Sequence, residues 1–168
     1  MKEGSDGVLT SLNRMTGLPV VWRERQMGYV ERAVVDLNGM CLDGVVVRRG
    51  IGSARWAPRA GIVLIGKNSV VLSHPPVRMP GRQLTELRRA LPAGGGNAAM
   101  VSDVILSGDT LRIAALEVSQ GPVYRLLGRC AYAPCCRIPE GGEAGEVVVP
   151  PLLSWSQLLS RFGEGEDA

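Results

Sequence analysis

Several residue types are scarce in this 168-residue chain, and each shortage excludes a class of protein. It has one histidine, one phenylalanine and two lysines. No apolar run approaches the ~18 residues that a membrane-spanning helix needs, so we expect no membrane insertion. The opening segment, residues 1–12, has no apolar core of a secretory signal. This absence predicts a cytoplasmic protein with reduced cysteines.

Catalytic and cofactor motifs are also missing. The single histidine, His74, stands beside two prolines, and nothing in the sequence places one of the cysteines against it as a nucleophile. The loop Gly50–Ala54 is glycine-rich but lacks the Lys-Ser/Thr of a phosphate-binding loop. We therefore expect a protein that is not an enzyme and binds no cofactor.

The four cysteines do not have the spacing of a metal site. Cys130, Cys135 and Cys136 form a C-x4-C-C pattern, without paired C-x2-C units and without a nearby histidine, and Cys41 is remote in sequence. We interpret all four as structural thiols and expect no metal. A metal or redox site is the alternative, and the pattern assigns no role to the three clustered cysteines.

Glycine and β-branched residues are abundant. The chain contains 22 glycines and 11 prolines, and its valines occur in short runs separated by turn residues. This composition predicts a mainly β protein built from short strands. Several short strands cannot bury a core as a flat sheet, so we expect them to curl into small barrels.

Arginine dominates the positive charge, with 17 of the 19 basic residues. Residues 1–77 and 78–139 each carry a net charge of +4, whereas residues 140–168 carry −5. A basic body suits an acidic partner, either RNA or an acidic protein surface. The alternative is that these charges only solvate loops.

One cluster stands out as a candidate partner-binding site. Four arginines flank the Gly50–Ala54 loop and one tryptophan; the set is Arg48, Arg49, Arg55, Trp56 and Arg59. Guanidinium groups beside an indole face can hold an acidic protein loop, or RNA through phosphate pairing and base stacking. In the alternative interpretation Trp56 packs inside the barrel and the arginines surround its rim.

A weak internal repeat divides the chain at the proline-rich segment Ser73–Pro80. We therefore predict two domains, residues 1–77 and 78–168. Three segment pairs carry the repeat: Leu9–Arg14 with Leu84–Arg89, Ala33–Gly39 with Asp103–Asp109, and Leu42–Val47 with Ile113–Val118.

Turn and helix signals give a coarse secondary structure. Asn38-Gly39 predicts a hairpin turn with positive φ at both central residues, and Ser107-Gly108-Asp109 predicts the same in the second half. We expect further hairpins at Gly28 and around residues 66–68. Leucine spacing predicts a helix over Arg82–Leu91, and an apolar stripe predicts one over Ser154–Phe162, followed by an acidic tail, Glu164–Ala168.

The motifs of residues 9–73 together resemble a known family. Leu9–Leu12 leads into Gly17-Leu18-Pro19-Val20, and Gly28–Asp36 follows with the pattern G-x-V-x-x-x-V-V-D. The strand Leu42–Val47, the stretch Trp56–Gly66 and the closing Ser69–Leu72 complete the series. In order and spacing these segments are similar to the PRC-barrel domain family, and the second half resembles a diverged second copy. The resemblance implies two small PRC-like β-barrels in tandem, with one or two short helices.

The family also implies a function. PRC barrels occur in the reaction centre H subunit, in the ribosome maturation factor RimM, and as small stand-alone proteins of bacteria and archaea. Their common role is non-catalytic protein contact. We therefore expect a protein-binding adaptor or regulatory module; the alternative is an RNA- or ribosome-associated factor resembling RimM in role. The sequence identifies neither the partner nor the oligomeric state.

Overall fold

The computed structural model of the protein describes residues 9–82, 84 and 86–163. Within these ranges the protein is mainly β, as the composition predicts, with few short helices. The acidic tail, Glu164–Ala168, lies outside the described residues. The strands are β1 (Leu9–Ser11), β2 (Pro19–Trp22), β3 (Arg25–Asp36), β4 (Cys41–Arg48), β5 (Arg55–Pro58), β6 (Ile62–Ile65), β7 (Val70–Leu72), β8 (Val77–Arg78), β9 (Arg89–Pro92), β10 (Ala99–Ser107), β11 (Ile113–Ser119), β12 (Ala131–Ala133) and β13 (Glu146–Val149). The α-helices are α1 (Leu12–Met15), α2 (Pro122–Leu126) and α3 (Trp155–Gly163).

The chain divides into two compact units. The first contains residues 9–82, 84 and 106–112, and the second contains residues 86–105 and 113–163. Each unit is built around a curled, half-barrel sheet. The predicted domain boundary after residue 77 stays a prediction. No helix in the described part of the chain is long and apolar enough to cross a membrane.

The first unit has a seven-stranded sheet in the order β6, β7, β2, β3, β4, β5, β8. Neighbouring strands are antiparallel except β2 and β7, which are parallel. The β6–β7 hairpin around residues 66–68 confirms that sequence prediction. Val20, Leu42, Val45 and Val70 are fully buried and form part of the core. Because successive strand residues face opposite sides, curling the sheet encloses one set of these side chains.

The segment after β7 extends the sheet and packs against the same unit. Strand β8 pairs with β5, and Met79 and Leu84 pack against the buried cluster of Val34, Val46 and Trp56. The predicted helix over Arg82–Leu91 is wrong in the described residues, because Leu84 and residues 86–88 are non-helical and β9 is a strand. Pairing with β10 and β13 overrides the leucine periodicity.

The β2–β3 hairpin turns at a different place from the one predicted. Its two loop residues, Arg23 and Glu24, have φ of 45° and 62°, as a primed two-residue turn requires. Gly28 lies inside β3 instead, where a Cβ would stand 2.5 Å from the carbonyl oxygen of Arg48. Glycine is needed at position 28 for a close approach of two strands. The predicted hairpin is present, but its turn is not at Gly28.

The β3–β4 and β10–β11 loops are longer than predicted, yet they match each other. In the first, four residues (37–40) separate the cross-strand partners Asp36 and Cys41. In the second, four residues (108–111) separate Ser107 from Arg112, whose carbonyl accepts from the Ser107 N–H at 2.9 Å. Positive φ falls on the last loop residue, at 49° for Met40 and 56° for Leu111, and not on Gly39 or Gly108. The two-residue turns predicted at Asn38-Gly39 and Ser107–Asp109 are therefore wrong. The hairpins themselves are present.

The second unit has its main strands in the order β12, β11, β10, β9, β13, and β9 and β13 are parallel. Two further bridges join Tyr132 to Leu153 and Arg137 to Val148. Helix α3 confirms the C-terminal helix prediction. Ser154 caps it: Ser154 Oγ accepts from the Gln157 N–H at 3.3 Å, and the Gln157 side chain accepts from the Ser154 N–H at 2.8 Å. Leu158 is fully buried.

Candidate functional site

Trp56, the aromatic member of the predicted cluster, belongs to the core of the first unit. It is 5% exposed and packs in one buried cluster with Val34 and Val46. Gly44 makes room for its ring, because a Cβ there would lie 2.5 Å from the Trp56 Cζ2 atom. The indole therefore presents no face to a partner, and the packing interpretation of this residue is the one that the structure supports.

Two of the four predicted arginines make contacts within the protein. The Arg48 guanidinium donates to the Glu31 carboxylate at 2.7 Å and to the Gly52 carbonyl at 3.2 Å. The hydrogen bond and the charge of Glu31 raise the pKa of Arg48. Arg59 donates to the Thr110 carbonyl at 2.7 Å. Both side chains hold local structure in the first unit.

The remaining two, Arg49 and Arg55, are exposed, and a third arginine accompanies them. Arg78 on β8 stands directly opposite Arg55 on β5. Opposed residues of an antiparallel pair have Cβ atoms about 5 Å apart, so the two positive charges repel each other. Among the residues that the structure describes, none of the three guanidiniums has an acidic or hydrogen-bonding partner. We call Arg49, Arg55 and Arg78 the basic edge.

The loop that joins Arg49 to Arg55 has an apolar tip. Ile51 is fully exposed between Gly50 and Gly52, in the loop that follows Arg49. Gly50 has a φ of 56°, and the Gly52 N–H donates to the Arg49 carbonyl at 3.2 Å, which fixes the turn. Tyr29, paired with Arg48 across β3 and β4, is half exposed. Cations and apolar side chains are thus available together on the first unit.

Sequence reasoning missed a groove on the second unit. The groove encloses about 640 Å³ and is lined by β10, β11 and the chain on either side of them. It adjoins an apolar recess of about 240 Å³, and the two share Pro92, Ala99, Val118 and Leu152. These volumes are within or near the range of ordinary ligand sites. The only local sequence signals were the glycines and prolines at residues 92–96 and 150–151.

Helix α2 beside the groove has no buried residue. Within this helix the Tyr124 side chain lines the groove, whereas Val123 and Leu126 are exposed. Leu127, directly after the helix, is exposed as well. Gly121, with a φ of 151°, and Pro122 in the first turn begin the helix. This Gly-Pro start was the available sequence signal. The result is an apolar surface that the described residues leave uncovered.

Two cysteines of the second unit, Cys130 and Cys136, are partly buried, whereas Cys135 is exposed. Cys130 lines the groove, and burial together with the nearby Glu117 carboxylate raises the pKa of its thiol. Burial also raises the pKa of Tyr132 to about 12, with a further contribution from Glu117, and that of Cys136 to about 11, with a further contribution from Cys135. Raised pKa values keep Cys130 and Cys136 as neutral thiols near pH 7.

No group of three or more metal-ligating side chains occurs in residues 9–82, 84 and 86–163. The absence of a metal stays a prediction of the sequence. No protein-family profile matches the chain, and no curated protein sequence matches it.

Proposed function

We propose that the protein is a non-enzymatic, cytoplasmic adaptor, formed by two PRC-like barrels in tandem, that holds an acidic protein segment at the basic edge. The observation that carries this proposal is the cross-strand pair Arg55 and Arg78, which has no acidic partner among the described residues. Directly opposed like charges destabilise a sheet, and an acidic partner would turn that repulsion into attraction. The resemblance of residues 9–73 to PRC barrels supports the same role.

Two observations favour a protein over RNA as the partner. Burial of Trp56 withdraws its indole as a surface on which the bases of single-stranded nucleic acid could stack. The exposed Ile51 tip gives apolar contact area, which contributes to protein interfaces more than to phosphate binding. An acidic segment with one or more apolar residues would contact both features.

The second candidate function is an RNA- or ribosome-associated factor resembling RimM in role. The three guanidiniums without partners favour it, because arginine pairs with phosphate as readily as with carboxylate. The two candidates differ in their response to nuclease and to salt. Binding to phosphates weakens steeply as salt rises, whereas a mixed protein interface weakens less.

A pull-down with a charge variant tests the proposal. Tagged wild-type protein and Arg55→Ser/Arg78→Ser are compared on the source lysate, with and without RNase. The matched control is Lys67→Ser, an exposed cation of the β6–β7 loop. We expect a defined protein that survives RNase, is retained by the control and is lost from the double variant. Loss of all captured protein on RNase treatment would instead establish the RNA-associated function.

A further inference from the structure

We propose that the groove of the second unit binds a short peptide segment of a partner protein that combines an apolar side chain with a carboxylate. This site is separate from the basic edge and does not depend on the function proposed for that edge. Each described residue that lines it belongs to the second unit.

The recess that adjoins the groove selects the apolar part of the peptide. Its described lining consists of alanine, glycine, proline, valine and leucine residues, among them Ala90, Val149 and Pro151, and contains no charged side chain. A polar group entering this recess would lose water without gaining a hydrogen-bonding side chain. An aliphatic side chain would be stabilised there by burial.

The wider part of the groove selects the carboxylate. Arg129 is exposed and is the one charged side chain in its described lining, where Asn97, Gln120 and Tyr124 add neutral polar groups. The neighbouring acid is already engaged, because Glu117 accepts from the Tyr132 hydroxyl at 3.4 Å and pairs with Arg125 at 3.8 Å. Arg129 has no acidic partner among the described residues. A carboxylate of the peptide would complement the charge of Arg129 and could accept two parallel hydrogen bonds from its guanidinium group.

The surroundings of the groove favour a protein segment over a small molecule. The exposed apolar residues of α2, Val123 and Leu126, lie outside the groove lining, next to Tyr124 within it. A small ligand would fill the groove and leave these side chains in water. A peptide segment that continues past the groove would cover them, as exposed apolar patches at interaction sites are covered.

Fluorescence anisotropy with a labelled peptide of alternating leucine and glutamate tests the site. Two matched probes replace glutamate by glutamine or leucine by serine. The protein variants are Arg129→Glu and the control Arg137→Glu, an exposed arginine outside the groove lining. We expect the Leu–Glu probe to bind more tightly than either matched probe. Arg129→Glu should weaken its binding about tenfold, and Arg137→Glu should leave it unchanged.

Cys130 in the groove lining reports where the peptide binds. Alkylation by iodoacetamide, followed by mass spectrometry of each cysteine peptide, should slow at Cys130 when the Leu–Glu probe is present and stay unchanged at the exposed Cys135. Equal binding of all three probes, an Arg129→Glu affinity equal to wild type, or no saturable binding at about millimolar probe would overturn the proposal. The Arg55→Ser/Arg78→Ser variant should bind the probe normally, which separates this result from failure of the adaptor function.

Discussion

A side chain at position 44 would enter space that the Trp56 ring occupies. The Cβ of an alanine there would lie 2.5 Å from both the Trp56 ring and the Ala57 carbonyl oxygen. The Ala57 carbonyl belongs to the backbone of the paired strand, so it cannot move without disturbing the sheet. We expect Gly44→Ala to lower the free energy of unfolding by about 2 kcal/mol. The control is Gly94→Ala, where no heavy atom lies within 4 Å. Calorimetric melting of both variants measures the difference, and equal melting temperatures would contradict the packing described for Trp56.

Cys136 should make stability depend on alkaline pH. Its pKa rises from 9.0 to about 11 because burial disfavours the thiolate. Between these values the unfolded chain loses the proton while the folded protein keeps it, so stability is complete below pH 9 and falls as pH rises toward 11. We expect Cys136→Ala to remove part of this fall in urea titrations at pH 8 to 11. Cys135→Ala is the control; an unchanged alkaline slope in Cys136→Ala would disprove the assignment.

At the scale of elements, the β2–β3 turn places two bulky residues in a left-handed conformation. Each non-glycine residue with this φ costs about 1–2 kcal/mol, whereas glycine adopts it freely but loses more entropy on folding. We expect Glu24→Gly to stabilise the protein by about 0.5–1 kcal/mol, which raises its melting temperature by a few degrees. Glu24→Ala keeps the strain and should give no gain. A melting temperature that is lower for glycine than for alanine would refute the turn geometry.

Elements with a complete local signal were predictable from the sequence, and those set by pairing were not. Helix α3 has its cap at Ser154 and its buried Leu158 at helical spacing, so the sequence alone predicts it. The sequence predicts a helix at strand β9 because the spacing of a few leucines fits both the helical and the strand period. Pairing with β10 and β13 makes this segment a strand. Helix α2 was missed because five residues are too few for a periodic signal.

At the scale of the whole molecule, composition predicts the mainly β architecture, but the candidate site depends on register. The sequence identifies Arg49 and Arg55 as neighbours of one loop. It does not show that Arg78, which follows the proline-rich segment, lies opposite Arg55, because cross-strand pairs are fixed only when the sheet forms. The groove likewise joins segments from residue 90 to residue 152 that no local pattern connects.

The two matching four-residue loops make the internal repeat testable. When Met40 and Leu111, the two residues with positive φ, are aligned, Asp36 and Gly39 correspond to Ser107 and Thr110. This alignment is shifted by one residue from the pairing of Ala33–Gly39 with Asp103–Asp109 that the sequence predicts. A Cβ at position 39 would lie 2.7 Å from the Asp36 Oδ2 atom, so the Asp36 carboxylate, which accepts from the Asn38 N–H, would have to move. A shorter serine at position 36, the residue type found at position 107, should relieve this conflict.

A double-mutant cycle on the first loop measures that relief. We expect Gly39→Thr to cost about 1–3 kcal/mol in the free energy of unfolding. Asp36→Ser alone should cost less, because it removes one hydrogen bond, from the Asn38 N–H at 3.0 Å. In the double variant Asp36→Ser/Gly39→Thr, the cost should be smaller than the sum of the two single costs by about 1 kcal/mol. Strict additivity in urea unfolding would mean that Asp36 does not impose the glycine, and that the two loops share length but not their internal packing.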